Sequence, residues 1–142
     1  MTYMPLVGVC LLLLLFAAAI TDMRQRIIPL ELCLLFSMFI ILQLILTQNL
    51  FHLLSHALAG LLLFALFLIN ALFFHGGGGD CFLAFCIGLT LGLMSGLYIT
   101  VFACTAMALY HLLIRKKQMQ YPMAPAMLLG TVLYFILMGG IQ

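Results

Sequence analysis

Long apolar runs separated by short polar breaks organise the chain. They predict six helices: Pro5–Ile20, Pro29–Leu46, Leu53–Phe74, Cys81–Met94, Leu97–Ile114 and Met123–Gly139. A helix needs roughly 20 apolar residues to cross the hydrocarbon core of a bilayer, and most of these runs come near that length. The fourth is short, and the break after it, Ser95-Gly96, is weak. A turn there makes a hairpin of two helices; without a turn the stretch is one long kinked helix. No repeat, low-complexity tract or soluble linker interrupts the pattern.

Composition sharpens this picture. The chain has 142 residues, of which 68% are hydrophobic and 6% charged. All formal charge rests on Asp22, Arg24, Arg26, Glu31, Asp80, Arg115, Lys116 and Lys117. An ordinary soluble domain is about one quarter charged, so a water-soluble globular protein is excluded. Disorder is excluded as well, because it requires low hydrophobicity and high charge. The expected fold is all-α: a polytopic membrane protein of about six transmembrane helices, one membrane-embedded domain over residues 1–142, with no soluble domain. The net charge of +2 is split between two clusters and gives no nucleic-acid footprint. The five cysteines lie in or beside apolar segments without CxxC spacing. They read as small packing residues rather than a zinc or disulfide framework. The apolar Leu6–Ile20 stretch lacks a basic region before it and is followed by basic residues, so it reads as a first transmembrane helix and not a cleaved signal.

Cytoplasmic loops are enriched in Lys and Arg. With six spans, the loops holding Arg24/Arg26 and Arg115–Lys117 share the cytoplasmic side, and both termini face outward. A five-span layout would put the two clusters on opposite faces. The six-span layout also places Asp22 and Asp80, the only aspartates, at the same membrane face.

Asp22 follows the first predicted helix, where the negative end of the helix dipole disfavours an anion. Alone it reads as a loop residue ion-paired with Arg24 or Arg26. Asp80 follows Gly76–Gly79 and precedes the fourth helix. Asp is a good N-cap, but that role does not explain four glycines, which suit a sharp bend or a close backbone approach. Two carboxylates held together in a low-dielectric site share one proton and titrate as a unit. Such a pair suits peptide hydrolysis, one member activating water and the other protonating or polarising the carbonyl. It requires neither metal nor cofactor, and the sequence offers no good Ser/His or Cys/His alternative.

The remaining polar residues read mainly as structural. Glu31, two residues after Pro29, complements the positive end of the second helix. His52 and His56 are four apart, a spacing that can bind metal, yet no third ligand is evident and an interfacial polar face is the favoured reading. His75 either tunes Asp80 or sits at the interface. Asn70 is an intramembrane polar group that needs a partner. Gly88, Gly92 and Gly96 recur every four residues and predict close packing of the fourth helix. Arg115, Lys116 and Lys117 read as topology signals in contact with lipid headgroups.

Three segments together resemble the type IV prepilin peptidases, GxGD-type membrane aspartic proteases, and most of all their short Tad/CpaA-type members. Asp22-Met23-Arg24-Gln25-Arg26-Ile27-Ile28-Pro29 is similar to Asp-x-Arg-x-x-x-Ile-Pro; Gly77-Gly78-Gly79-Asp80 fits GxGD; and Pro122 and Pro125 match the Pro-x-x-Pro-x-x-x-x-Gly opening of the last helix, with Gly130 as its glycine. The resemblance implies that Asp22 and Asp80 are the catalytic pair, with Gly77, Gly79, Arg24, Pro29, Pro122 and Pro125 shaping the loops and positioning the substrate. It implies a prepilin or pseudopilin substrate whose basic leader is cut at the cytoplasmic face of the bacterial inner membrane. Leu30 and Phe82 stand where the family often has Asn and Lys, and the cytoplasmic insert with CxxC pairs found in larger relatives is missing. A non-catalytic assembly or transport subunit, derived from such a peptidase, is the competing expectation. A presenilin-like protease fits less well, because Thr21 rather than Tyr precedes Asp22.

Overall fold

The computed structural model describes residues 4–25, 28–47, 50–74, 78–114 and 123–139. Among these, every residue except Ile28 and Pro29 is helical. Five elements result: α1 (Met4–Gln25), α2 (Leu30–Thr47), α3 (Leu50–Phe74), α4 (Gly78–Ile114) and α5 (Met123–Gly139).

The expectation of six separate helices is therefore corrected to five. The stretches predicted as Cys81–Met94 and Leu97–Ile114 form one element, and the residue that breaks its geometry is Gly92, not Ser95-Gly96. Gly92 has φ 81° and ψ 178°, a backbone region open essentially to glycine alone. The chain doubles back there. A Cβ on Gly96 would lie 3.8 Å from the Gly88 Cα, whereas eight residues of straight helix span about 12 Å. The two arms of α4 thus lie side by side as a helical hairpin, so both ends of α4 point the same way.

Gly92 also changes the meaning of the small-residue series. Gly88, in the first arm, meets α3 backbone to backbone: a Cβ there would fall 2.8 Å from the Ala59 carbonyl oxygen and 2.8 Å from the Gly60 Cα. Gly96, in the second arm, lies against the Leu63 side chain. The glycines do not share one helical face; the middle one turns the chain, and the outer two let both arms close on α3. In α5, Gly130 sits 2.8 Å, measured to an added Cβ, from the Ile99 carbonyl oxygen. Nearer the bend, the hydroxyls of Ser95 and Tyr134 share a hydrogen bond of 2.7 Å.

α4 is the hub, packing on α1, α2, α3 and α5. The core runs through Leu11, Leu15, Ile40, Leu63, Leu83, Ile87, Ile99 and Met127, all buried. Many large apolar side chains point outward instead, among them Leu13, Leu35, Leu46, Phe51 and Ile136. Water would penalise so much exposed apolar surface; hydrocarbon does not. Val7–Gln25, Phe51–Leu72 and Gly78–Tyr110 are long and apolar enough to cross a membrane, the last of them bent at Gly92. Leu30–Leu46 and Met123–Leu137 are shorter apolar helices. The chain is an all-α membrane protein.

Buried polar groups are satisfied locally, as a medium without water demands. The hydroxyls of Thr90, Thr100 and Thr131 donate to carbonyls one turn back. The bend at Gly92 interrupts the helical hydrogen-bond ladder, and His56 on α3 answers it: its Nδ1 lies 3.0 Å from the Leu89 carbonyl oxygen. This gives His56 a place inside the helix packing and not on an interfacial polar face. No group of three or more metal-ligating side chains forms among the described residues. Cys33, Cys81 and Cys86 are buried in the core, and Cys104 is exposed.

Candidate active site

α1 runs past its predicted end at Ile20 to Gln25. The Thr21 hydroxyl continues it by donating to the Ala18 and Ala17 carbonyls at 2.9 and 3.1 Å, and Arg24 sits favourably in its last turn. Asp22 therefore lies on the helix, one turn from its end, and not in a loop. It is buried, with 8% of its surface exposed. Its partner among the described residues is not Arg24, which is exposed; Arg26 lies outside the described residues. Asp22 Oδ2 instead accepts a hydrogen bond of 3.2 Å from the backbone N–H of Ala124.

Ala124 stands in the first turn of α5. The first four N–H groups of a helix have no intrahelical acceptor, and the dipole there favours negative charge. The unfavourable placement of Asp22 at the end of α1 is thus offset by the start of another helix, 102 residues away. Sequence reasoning missed this contact. The available signal was Pro122-x-x-Pro125, which marks the first turn of the last helix; nothing in it says which anion that turn meets. Pro125 lies in that turn, half-buried, and Pro122 lies outside the described residues.

Asp80 is the third residue of α4, inside the first turn and not its N-cap. It is half-buried, and the Asp22 carboxylate acts on it directly through space. The structure thus brings together the two aspartates, 58 positions apart by number (80 − 22).

Gly79 is where the segment between α1 and α2 meets α4. A Cβ on Gly79 would fall 2.7 Å from the Ile28 Cβ, a separation that real side chains do not reach. Gly78, by contrast, faces open space, with nothing within 4 Å of an added Cβ. Gly77 and His75 lie outside the described residues. Pro29 hands the chain to α2: its carbonyl accepts from the Cys33 N–H at 3.3 Å. Glu31 is exposed in the first turn of α2, where it suits the helix dipole. Phe82, two residues after Asp80, packs edge-on against Phe64 of α3 with ring centroids 5.4 Å apart. An aromatic contact thus occupies the place where the resemblance expects a lysine.

Taken together, the fold and this corner define a polytopic α-helical membrane protein with two carboxylates gathered at one end of its bundle, against the N-terminal turns of α4 and α5. The chain belongs to the type IV leader peptidase family, whose model matches residues 9–112. The match includes both aspartates and the glycine run; α5 lies beyond it. No curated protein and no solved structure matches the chain. Its function is of the leader peptidase kind, proteolysis in a membrane setting, and the family implies a prepilin substrate.

Proposed function

We propose that this chain is an aspartic endopeptidase that removes the basic leader from Flp/Tad-type prepilins or pseudopilins at the cytoplasmic face of the bacterial inner membrane. The observation that carries this reading is the meeting of Asp22 with Asp80. They are the only aspartates in the chain, and they lie at one corner of the bundle, Asp22 buried on α1 and Asp80 half-buried on α4. Exposed Arg24 beside that corner supports a cytoplasmic orientation under the positive-inside rule, with both termini on the outer side.

In this mechanism the pair carries one proton between its two carboxyl groups. One member removes a proton from water as it attacks the scissile carbonyl; the other donates a hydrogen bond to the oxygen where charge develops. Gly79 and Ile28-Pro29 fix the wall of the corner. Arg24, Gly77, Pro122 and Pro125 belong to the segments that border it in sequence and position the leader. The substrate's apolar segment stays in lipid, so only the leader boundary has to reach the aspartates. No step draws on a cofactor.

The test is incubation of the purified chain, in detergent or lipid vesicles, with a prepilin tagged at its C-terminus. The wild type releases the leader, while Asp22→Asn and Asp80→Asn, inserted equally well, leave the prepilin whole. Normal cutting by either variant would remove the aspartic assignment. A wild type that never cuts but supports pilus assembly would favour the non-catalytic subunit.

A further inference from the structure

The two aspartates occupy unlike settings. Asp22 is the more buried and accepts a backbone N–H from the first turn of a 17-residue helix. No described residue gives the Asp80 carboxylate a comparable hydrogen-bond donor. A donor at a helix N-terminus stabilises a carboxylate over the neutral acid. The titratable groups on the described elements packed on α1 are Asp80, Cys81, Cys86, Tyr98, Cys104, Tyr110 and His111 on α4, Glu31 and Cys33 on α2, and Cys10 and Arg24 on α1 itself. The described part of α5 carries only Tyr134, bonded to Ser95 near the opposite end of the bundle. Glu31 and Arg24 are exposed, so their charges are screened.

Resting on the proposed function, we infer that the N-terminal turn of α5 divides the labour of the pair: Ala124 holds Asp22 as the carboxylate that acts as base, and Asp80 carries the proton and acts as acid. Ala124 is a positioning residue here, acting through its N–H. Attack proceeds as Asp22 takes one proton from water, the water oxygen bonds to the carbonyl carbon, and the carbonyl π pair moves to oxygen, which receives the Asp80 proton. In the second half, the proton on Asp22 passes to the leaving nitrogen as the C–N bond breaks. The gem-diol oxygen returns its proton to Asp80 as C=O reforms. One water is consumed, and the pair ends as it began.

With only two aspartates in the chain, carboxyl-13C aspartate labelling of the purified full chain gives two resonances. Each is assigned by its disappearance in Asp22→Asn or Asp80→Asn. At a pH where the pair holds one proton, the wild-type Asp22 signal is that of a carboxylate and the Asp80 signal that of the protonated acid. Ala124→Pro deletes the donor at a first-turn position where proline is tolerated, and it moves the Asp22 signal toward that of the protonated acid. Ala124→Gly keeps the N–H and keeps the wild-type pattern. The reverse pattern in the wild type, or an unmoved Asp22 signal in a folded Ala124→Pro protein, overturns the inference. If Ala124→Pro does not fold, the wild-type pattern decides alone. Because this readout does not depend on cleavage, a reversed pattern with inactive Asp→Asn variants overturns only the assignment of roles, whereas active variants overturn the protease reading itself.

Discussion

The Ile28 side chain fills the space where Gly79 would carry a Cβ: the added atom would sit 2.7 Å from the Ile28 Cβ. This contact ties the segment after Asp22 to the residue before Asp80. It also separates two glycines of the same motif by function. Gly79→Ala pushes Ile28 away and shifts Asp80 relative to Asp22; a displacement of about 1 Å in such a site costs about 10²-fold in rate. Gly78→Ala meets nothing and retains wild-type cleavage. Leader-release rates for the two variants, measured side by side, check the pair.

At Gly92 the demand is conformational. Any side chain there is strained by the positive φ, at a cost of about 1–3 kcal/mol. Gly92→Ala lowers the thermal unfolding temperature in detergent. His56→Ala, which strips the Leu89 carbonyl of its partner, lowers it as well. Both sites are at the bend and not at the aspartates, so folded protein of either variant retains the aspartates' chemistry.

Gly88 tests the α3–α4 contact separately. An added methyl group meets the backbone of Ala59 and Gly60, which cannot step aside as a flexible side chain can. Overpacking of this kind costs about 1–3 kcal/mol. Gly88→Ala is destabilised, and Gly96→Ala less so, because its neighbour is the end of the Leu63 side chain. Unfolding midpoints in a common detergent rank the two.

Phe82 replaces a family lysine with a ring that packs on Phe64. Edge-to-face pairs of this sort contribute about 0.5–1.5 kcal/mol beyond their area. Phe82→Lys therefore loses stability here and does not gain activity. Unfolding and cleavage assays on the one variant check both statements.

Much of this was legible in the sequence, for reasons that can be traced. The apolar runs gave the helices because a bilayer leaves the backbone few alternatives. The charge pattern put both aspartates at one face, and they do converge. What periodicity could not reveal was the position of the bend. Ser95-Gly96 and Gly92 are similar breaks on paper, and only the backbone conformation shows that Gly92 takes the positive φ. The partner of Asp22 was hidden for a different reason. A side chain seeks the best donor in three dimensions, and Arg24 and Arg26 were near in sequence while Ala124 was near in space. The departure at Phe82 was visible as a substitution, but its role on α3 depended on Phe64 across the helix interface.

The central claim is that Asp22 and Asp80 act on one peptide bond as a unit, and a double-mutant cycle on leader release tests it most directly. Asp22→Asn and Asp80→Asn each slow single-turnover cleavage by at least about 10²-fold, and the double variant is no slower than the worse single variant. Losses that multiply, or a double variant that still cuts at the wild-type rate, would contradict a shared catalytic pair.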